Sequence, residues 1–386
     1  MLLRWKNFRR HVPAIACTLV LSMPFGTARA GKLNNLYTFT GGADGGTPTA
    51  VIRDSQGNLY GTTIAGGASN LGTVFKLAPD GTETVLYSFI GAPDGLIPRG
   101  RLAMDLQGNL YGVTQLGGAY NYGTIFKVTP GGAETVIHSF DSGDYPRAGL
   151  IIDATRDLYG ATTGGGFGYG TVFRFRTVRS AVHKDGFTQL YRFAGGEDGA
   201  DPEGDLLRDE NGNLYGTTHS GGAHQRGTVF RLGIDGSRTV LYAFSGSDGS
   251  DPGAGLTLDQ EGNLYGTTID GGDFGVGNVF SLSPNGVLTT LYAFKGGTDG
   301  AYPDGNLIRD EQGNVYGTTA QGGDRLLGEV FEVSPDGNLT VLHSFAGGSD
   351  GDSPNGTLIT DGQGNLYGTT YYGGKHDAGI VFSISE

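Results

Sequence analysis

Three histidines are the side chains best suited to acid–base chemistry in this chain of 386 residues. His219, His224 and His376 each follow a Gly-Thr-Thr or Gly-Gly element in a polar, glycine-rich segment. A histidine beside a carboxylate can act as general acid or base, the chemistry of a lyase or hydrolase. His138 and His343 instead stand where equivalent segments carry Tyr, which points to packing. The same polar segments hold residues suited to gripping a polar molecule by stacking and hydrogen bonds. They are Tyr120, Asn121, Tyr122, Phe167, Tyr169, His224, Arg226, Asp273, Phe274, Asp324, Arg325, Tyr371, Lys375 and His376. No zinc-type Cys/His spacing, Gly-x-Ser-x-Gly elbow or phosphate loop occurs, so no metal and no cofactor is expected.

What positions these residues is a repeat. Tyr-Gly recurs at Tyr60, Tyr111, Tyr159, Tyr215, Tyr265, Tyr316 and Tyr367, at intervals of 51, 48, 56, 50, 51 and 51 residues. Val/Ile-Phe recurs at Phe75, Phe126, Phe173, Phe230, Phe280, Phe331 and Phe382. Leu/Ile-Tyr/His-x-Phe or its variants end at Phe39, Phe89, Phe140, Phe193, Phe244, Phe294 and Phe345. The segments are short, β-branched and aromatic, and Asp-Gly or Asn-Gly pairs suited to tight hairpins separate them. Each copy reads as four strands: a (Leu102 to Asp105 in the second copy), b (Asn-Leu-Tyr-Gly-Thr), c (Val-Phe-x-Leu) and d (Leu-Tyr-x-Phe). No helical stretch is expected.

Seven four-stranded units of this period predict an all-β, seven-bladed β-propeller. The order of copies is permuted: a lone d strand (Leu36 to Phe39) comes first and a c strand (Val381 to Ile384) last. The N-terminal strand is therefore expected to complete the last blade, closing the ring and removing exposed edges. Strand parity then puts the d-to-a and b-to-c connections on one face, termed upper, and the histidines and variable polar residues with them. Repeated residues serve packing common to all blades, whereas residues that differ between copies on a rigid frame are free to recognise something.

Six d-to-a loops carry Asp-Gly-x-x-Pro, for example Asp44–Pro48 and Asp198–Pro202, and the third copy has only Asp144-Tyr-Pro146. The expected role is structural, with Asp capping the turn, Gly taking an unusual φ and Pro leading into strand a; one Asp per loop is sparse for calcium. Arg53, Arg208 and Arg309, which precede the last Asp of strand a, would either face the axial channel or neutralise the adjacent Asp54, Asp209 and Asp310. The third copy lengthens its c-to-d connection from Thr177 to Gly186, bringing in Arg179, His183 and Lys184.

Residues 1–30 read differently. Arg4, Lys6, Arg9 and Arg10 precede an apolar stretch from Val12 to about Phe25, and Ala28-Arg29-Ala30 follows. This is the pattern of a signal peptide cut after Ala30, leaving one propeller domain from Leu33 to Glu386, secreted or periplasmic. Retention as an N-terminal anchor, or lipidation at Cys17, are the alternatives. Cleavage removes five of 26 basic residues and none of 39 acidic ones, so the mature net charge moves from −13 to −18. That sign disfavours nucleic acid and anionic membrane surfaces as partners. The only Cys and only Trp also leave, so stability must come from packing rather than disulfides.

The tandem Gly-Asn-Leu-Tyr-Gly-Thr-Thr…Gly-Gly…Gly-Thr-Val-Phe…Asp-Gly pattern over residues 34–386 resembles the GloVer (Gloeo/Verruco) repeat of exported bacterial proteins. The resemblance implies export and no defined activity. Some relatives carry C-terminal sorting anchors, which Phe382-Ser-Ile-Ser-Glu386 does not resemble, so release is expected rather than anchoring. The shorter Asp-x-x-Gly-Asn-x-Tyr piece is also similar to the hairpin of NHL and streptogramin-lyase-type propellers. The reading is a monomeric, non-catalytic binding or scaffold module that takes a polar ligand, a glycan among the candidates, on its upper face. The alternative is an enzyme with a His/carboxylate site at the axial mouth.

Overall fold

A computed structural model describes residues 31–178 and 186–385. The leader and its cleavage site, Arg179, His183 and Lys184 therefore lie outside the described residues. Within them, seven antiparallel sheets form the seven blades. Blade one is typical, with a at Gly46–Arg53, b at Leu59–Ala65, c at Thr73–Leu77 and d at Glu83–Ser88, hydrogen-bonded in that order.

The ring closes as the permuted order requires. Strand Lys32–Thr38 lies antiparallel to Ile380–Ser385, with Leu33 opposite Ile384 and Tyr37 opposite Val381. Its register shifts between Asn35 and Tyr37, just as the c–d pair of blade one shifts between Val74 and Phe75. The borrowed strand thus copies a native one, bulge included. Its Phe39 is fully buried and meets Phe75 of blade one edge-on at 5.1 Å. The same pairing of a d-strand Phe with the next blade's c-strand Phe spans the other six interfaces, from Phe89–Phe126 to Phe345–Phe382, at 5.1–5.4 Å. Edge-to-face pairs of this kind add about 0.5–1.5 kcal/mol each beyond the burial of their area.

Two repeated motifs find their causes here. The Gly of Tyr-Gly exists because that Phe ring lies over it: a Cβ on Gly61 would fall 2.7 Å from Phe75 Cζ. In Asp-x-x-Gly-Asn-x-Tyr, the carboxylate of Asp54 accepts from Gln56 N, Asn58 N, Asn58 Nδ2 and Tyr60 Oη at 2.7–3.1 Å. Those donors favour the charged form and hold its pKa below the ordinary carboxylate range despite partial desolvation.

Strand a departs from expectation in extent. It begins at Gly46 and Gly95 in blades one and two, but shrinks to pairs such as Ile151–Ile152 in later blades, with a separate upper piece in blades six and seven. The break falls on a ring of Gly and Ala where neighbouring inner strands nearly touch; a Cβ on Gly100 would lie 2.4 Å from Gly149 N. Three single 3₁₀ turns, Gly196–Asp198, Gly297–Asp299 and Gly348–Asp350, also occur where no helix was expected. Each closes an Asp-Gly loop.

The Asp of these loops is structural, as the sequence suggested. Asp44 accepts from Thr40 N and Tyr37 Oη, Asp94 from Ile90 N and Tyr87 Oη, and Asp350 from Ala346 N and His343 Nε2. His343 thus stands in for Tyr, while His138 stacks face to face on Phe187 at 4.1 Å. The arginines require a correction. Arg53, Arg208 and Arg309 neither face the channel nor pair with the adjacent Asp; they cross to the preceding blade and lie over Tyr367, Tyr159 and Tyr265 at 5.3–5.8 Å. Arg208 also approaches Asp153 of that blade at 3.8 Å. A weakly hydrated guanidinium stacks on an aromatic face more readily than it gives up that contact for a solvated neighbour.

Candidate functional site

Each loop Pro sets the first inward residue of strand a, and alternation puts the residue two further on the same face. Those lower positions form a floor across the axis. Asp205 of blade four accepts from Gly149 N of blade three at 2.6 Å and from Asn306 Nδ2 of blade six at 2.9 Å, and lies 3.7 Å from Arg101 Nε of blade two. Asn306 Oδ1 in turn accepts from Gly255 N of blade five at 2.6 Å. One carboxylate reached by three other blades must sit near the axis, so the upper mouth is a blind cup.

Above the floor stand Arg99, Arg147, Glu203 and Asp304, joined by the residues that leave strand b, among them Gln115, His219 and Tyr371. Arg99 Nε donates to Gln115 Oε1 at 2.7 Å, and Arg147 Nη1 to Glu203 Oε1 at 2.8 Å. Asp304 is open to the mouth yet enclosed by protein, and the poor hydration raises its pKa to about 6; Glu203 pushes the same way and His219 opposes. Burial also raises the Tyr371 hydroxyl, with Arg99 lowering and Asp304 raising it, so both charges act on that ring. His219 Nδ1 is buried and has no hydrogen-bond partner.

Around the cup runs a ring of backbone strain. The residue before each loop Pro has a positive φ: Thr47, Ile97, Tyr145, Asp201, Asp251, Tyr302 and Ser353, at 48–58°. Positive φ is uncommon for any side chain and an outlier for β-branched Thr and Ile, and a following Pro restricts the backbone further. The surroundings over-determine it. Every one of these N–H groups donates to a carbonyl in the preceding blade's b-to-c loop, from Ala378 O at 2.8 Å to Tyr122 O at 3.2 Å. Such strain, about 1–3 kcal/mol per residue, concentrates at binding sites and clamps.

Between blades three and four the mouth opens sideways into a cleft of about 470 Å³ lined by Tyr145, Arg147, Thr163, Asp201 and Glu203 and by the bare backbone of Gly164, Gly165 and Gly168. Its origin is loop length: Phe140 to Pro146 is three residues shorter than Phe193 to Pro202. Among the described residues, no group of three His, Cys, Asp or Glu side chains is placed to hold a metal ion.

Sequence reasoning placed its candidates further out. Tyr120, Asn121, Phe167, Tyr169, His224, Arg226, Asp273, Phe274, Asp324, Arg325, Lys375 and His376 are all exposed on b-to-c tips. Asn121 is partly committed to its own loop, accepting from Gly117 N at 3.1 Å, and half-buried Tyr122 packs edge-on to Tyr145 at 5.5 Å. Of the named residues, His219 and Tyr371 belong to the mouth; His224 and His376 remain on the tips. Arg99, Arg147, Glu203 and Asp304 were missed. Their signal was present in the residue after each loop Pro, which runs Thr, Arg, Arg, Glu, Gly, Asp, Asn through the seven copies.

Comparison with known proteins agrees with the repeat. The model of the Gloeobacter/Verrucomicrobia repeat matches residues 25–151, 141–280 and 235–386. No curated protein matches. Among solved structures, the extracellular domain of BT4673 from B. thetaiotaomicron superposes with a TM-score of 0.61 at 12% identity, over 92% of this chain but 40% of that one. This chain thus spans well under half the length of that structure. XC5397 from Xanthomonas campestris, described as a gluconolactonase, matches over 94% of this chain and 98% of its own at 14% identity, with a TM-score of 0.47. Among the described residues no helix is long and apolar enough to cross a membrane.

Proposed function

The chain belongs to the Gloeobacter/Verrucomicrobia repeat family, and we propose that it is an exported, non-catalytic binding module that seats a small polar ligand, such as a carbohydrate, in the mouth of its upper face. One observation carries this reading. Blades that share a repeated packing frame diverge where they meet at the axis, bringing Arg99, Arg147, Glu203, His219, Asp304 and Tyr371 to one blind cup. A concave site with a few converging polar groups is the usual form of a small-molecule site. The exposed aromatic tips, Phe167 at 66% and Tyr120 at 59% exposure, would form its rim.

Isothermal titration of monosaccharides, sugar acids and amino acids, first ranked by thermal shift, tests it. A hit should weaken at least tenfold in Tyr371→Ala and in Arg147→Ala, with melting temperature little changed. Unaltered affinity in both variants would exclude the mouth as the seat. Export is tested separately by the mass of protein recovered outside the cytoplasm, which cleavage after Ala30 fixes.

A catalytic reading has one observation in its favour, the buried unpartnered Nδ1 of His219 near Asp304. A carboxyl group titrating near 6 is poised for proton transfer at neutral pH. If the mouth is catalytic, His219→Ala abolishes turnover of a bound hit while leaving its affinity within a fewfold; no turnover in the unmodified protein rejects it.

A further inference from the structure

We infer that the ligand of the mouth is a small zwitterion of the amino-acid class, its carboxylate met by Arg99 and its ammonium group by Asp304; this rests on the binding reading above. The charges of the cup are segregated by blade. Arg99 and Arg147 stand on blades two and three, Glu203 and Asp304 on blades four and six. Arg147 and Glu203 cancel each other at 2.8 Å, and Arg101 faces Asp205 in the floor at 3.7 Å. Two poles are left. Among the described residues Arg99 has no carboxylate and Asp304 no basic group within ion-pair distance.

Each pole is prepared for a partner. The neutral amide of Gln115 fixes Arg99 through Nε at 2.7 Å, leaving its two terminal nitrogens to grip a planar carboxylate in a bidentate pair. On the opposite side blade five meets Asp304 with Gly253 and Ile269. A Cβ on Gly253 would lie 3.2 Å from Asp304 Oδ1 and 2.8 Å from Ile269 Cδ1, so any larger residue would crowd the carboxylate. The strands that carry the two poles converge directly beneath them: Arg101 and Asn306, each two residues further along, meet on the carboxylate of Asp205 at 3.7 and 2.9 Å. The floor stops anything longer from passing down the axis. A neutral sugar would desolvate two full charges without neutralising either, whereas a zwitterion neutralises both.

The test titrates the mature protein with the twenty free amino acids, with the N-acetyl and carboxamide derivatives of the best binder, and with glucose. Variants R99Q and D304N go through the same panel. Blocking either end of the best binder should weaken it tenfold or more. R99Q should remove the discrimination between acid and carboxamide, and D304N that between amine and N-acetyl. Binding by no amino acid, or discrimination that survives in both variants, overturns the inference. Glucose binding that Tyr371→Ala weakens would overturn it too while leaving the mouth as the seat. Amino-acid binding indifferent to Tyr371→Ala would sink the reading beneath it.

Discussion

Replacing Phe39 by Ala separates ring closure from ordinary core packing. Phe39 is fully buried and touches Tyr37 and Phe75 edge-on at 5.0 and 5.1 Å. Phe244, inside the chain, is equally buried and meets Tyr242 and Phe280 at 5.2 and 5.3 Å. Deleting a buried Phe side chain costs about 3–5 kcal/mol, so both variants should lose about 4 kcal/mol. At about 2.1 cal/mol/K per residue, roughly 350 residues unfold with an entropy near 0.75 kcal/mol/K, which gives a fall in melting temperature of about 5 °C. The two should differ in how they fail. Phe244 belongs to a blade built from one run of chain, whereas Phe39 follows strand Lys32–Thr38, which joins its blade by pairing with Ile380–Ser385 from the far end of the sequence and can peel away alone. Amide hydrogen exchange should therefore show Val381–Ile384 losing protection in Phe39→Ala and keeping it in Phe244→Ala. Equal protection of that strand in both variants, or a melting temperature for Phe39→Ala within 1 °C of the parent, would refute the closure argument.

Two other expectations concern charge. Arg238 is 8% exposed on its side chain, pairs with Asp198 and lies over Tyr191 and Phe193, so Arg238→Ala removes the cation of a half-buried carboxylate that keeps only Tyr191 Oη and Ala194 N as donors, and should cost about 3 kcal/mol by denaturant titration, with Arg238→Lys intermediate; a loss below about 0.5 kcal/mol would contradict this. Glu83, Glu134 and Glu329 are each raised to about 7, first by burial and then by Asp44, Asp94 and Asp299 respectively. Their folded pKa exceeds the unfolded one, so their stabilising effect is complete below about 4.5 and is lost as pH rises towards 7. Asp54, Asp105, Asp209, Asp259 and Asp361 are lowered, so stability also falls in acid as they are protonated. Melting temperature should peak near pH 5 and be lower at pH 8, and Glu329→Gln should recover part of the loss at pH 8 only. A melting temperature that climbs from pH 5 to pH 8 would contradict the assignment.

The frame could be read from the chain because every blade solves the same packing problem with the same residues. Tyr-Gly, Val-Phe and the terminal Phe recur because seven equivalent interfaces need them, and the stray first strand betrayed the closure. The mouth was harder to read for the converse reason. Glu203 and Asp304 each occur in one copy and Arg in only two, Arg99 and Arg147, beside a Pro whose expected role lies in the turn, and adjacency across the axis leaves no mark in sequence spacing. His219 drew notice through its chemistry alone. The strained ring is half legible in the sequence: Gly is the residue expected to take the unusual φ, yet Thr47 and Ile97 share it because inter-blade hydrogen bonds hold them there. For the arginines, the sequence neighbour was the obvious partner, but the blade stacking set the Tyr of the preceding copy closer.

The central functional claim, that the blind cup on the axis is where a ligand sits, is tested most directly by an exchange footprint. Amide exchange would be recorded with and without the compound that most raises the melting temperature. Protection should appear at 99–101, 203–205 and 304–306 together with 219 and 371. Protection confined to the b-to-c tips around 120, 167, 224 and 325, or to the lower-face turns, would contradict it.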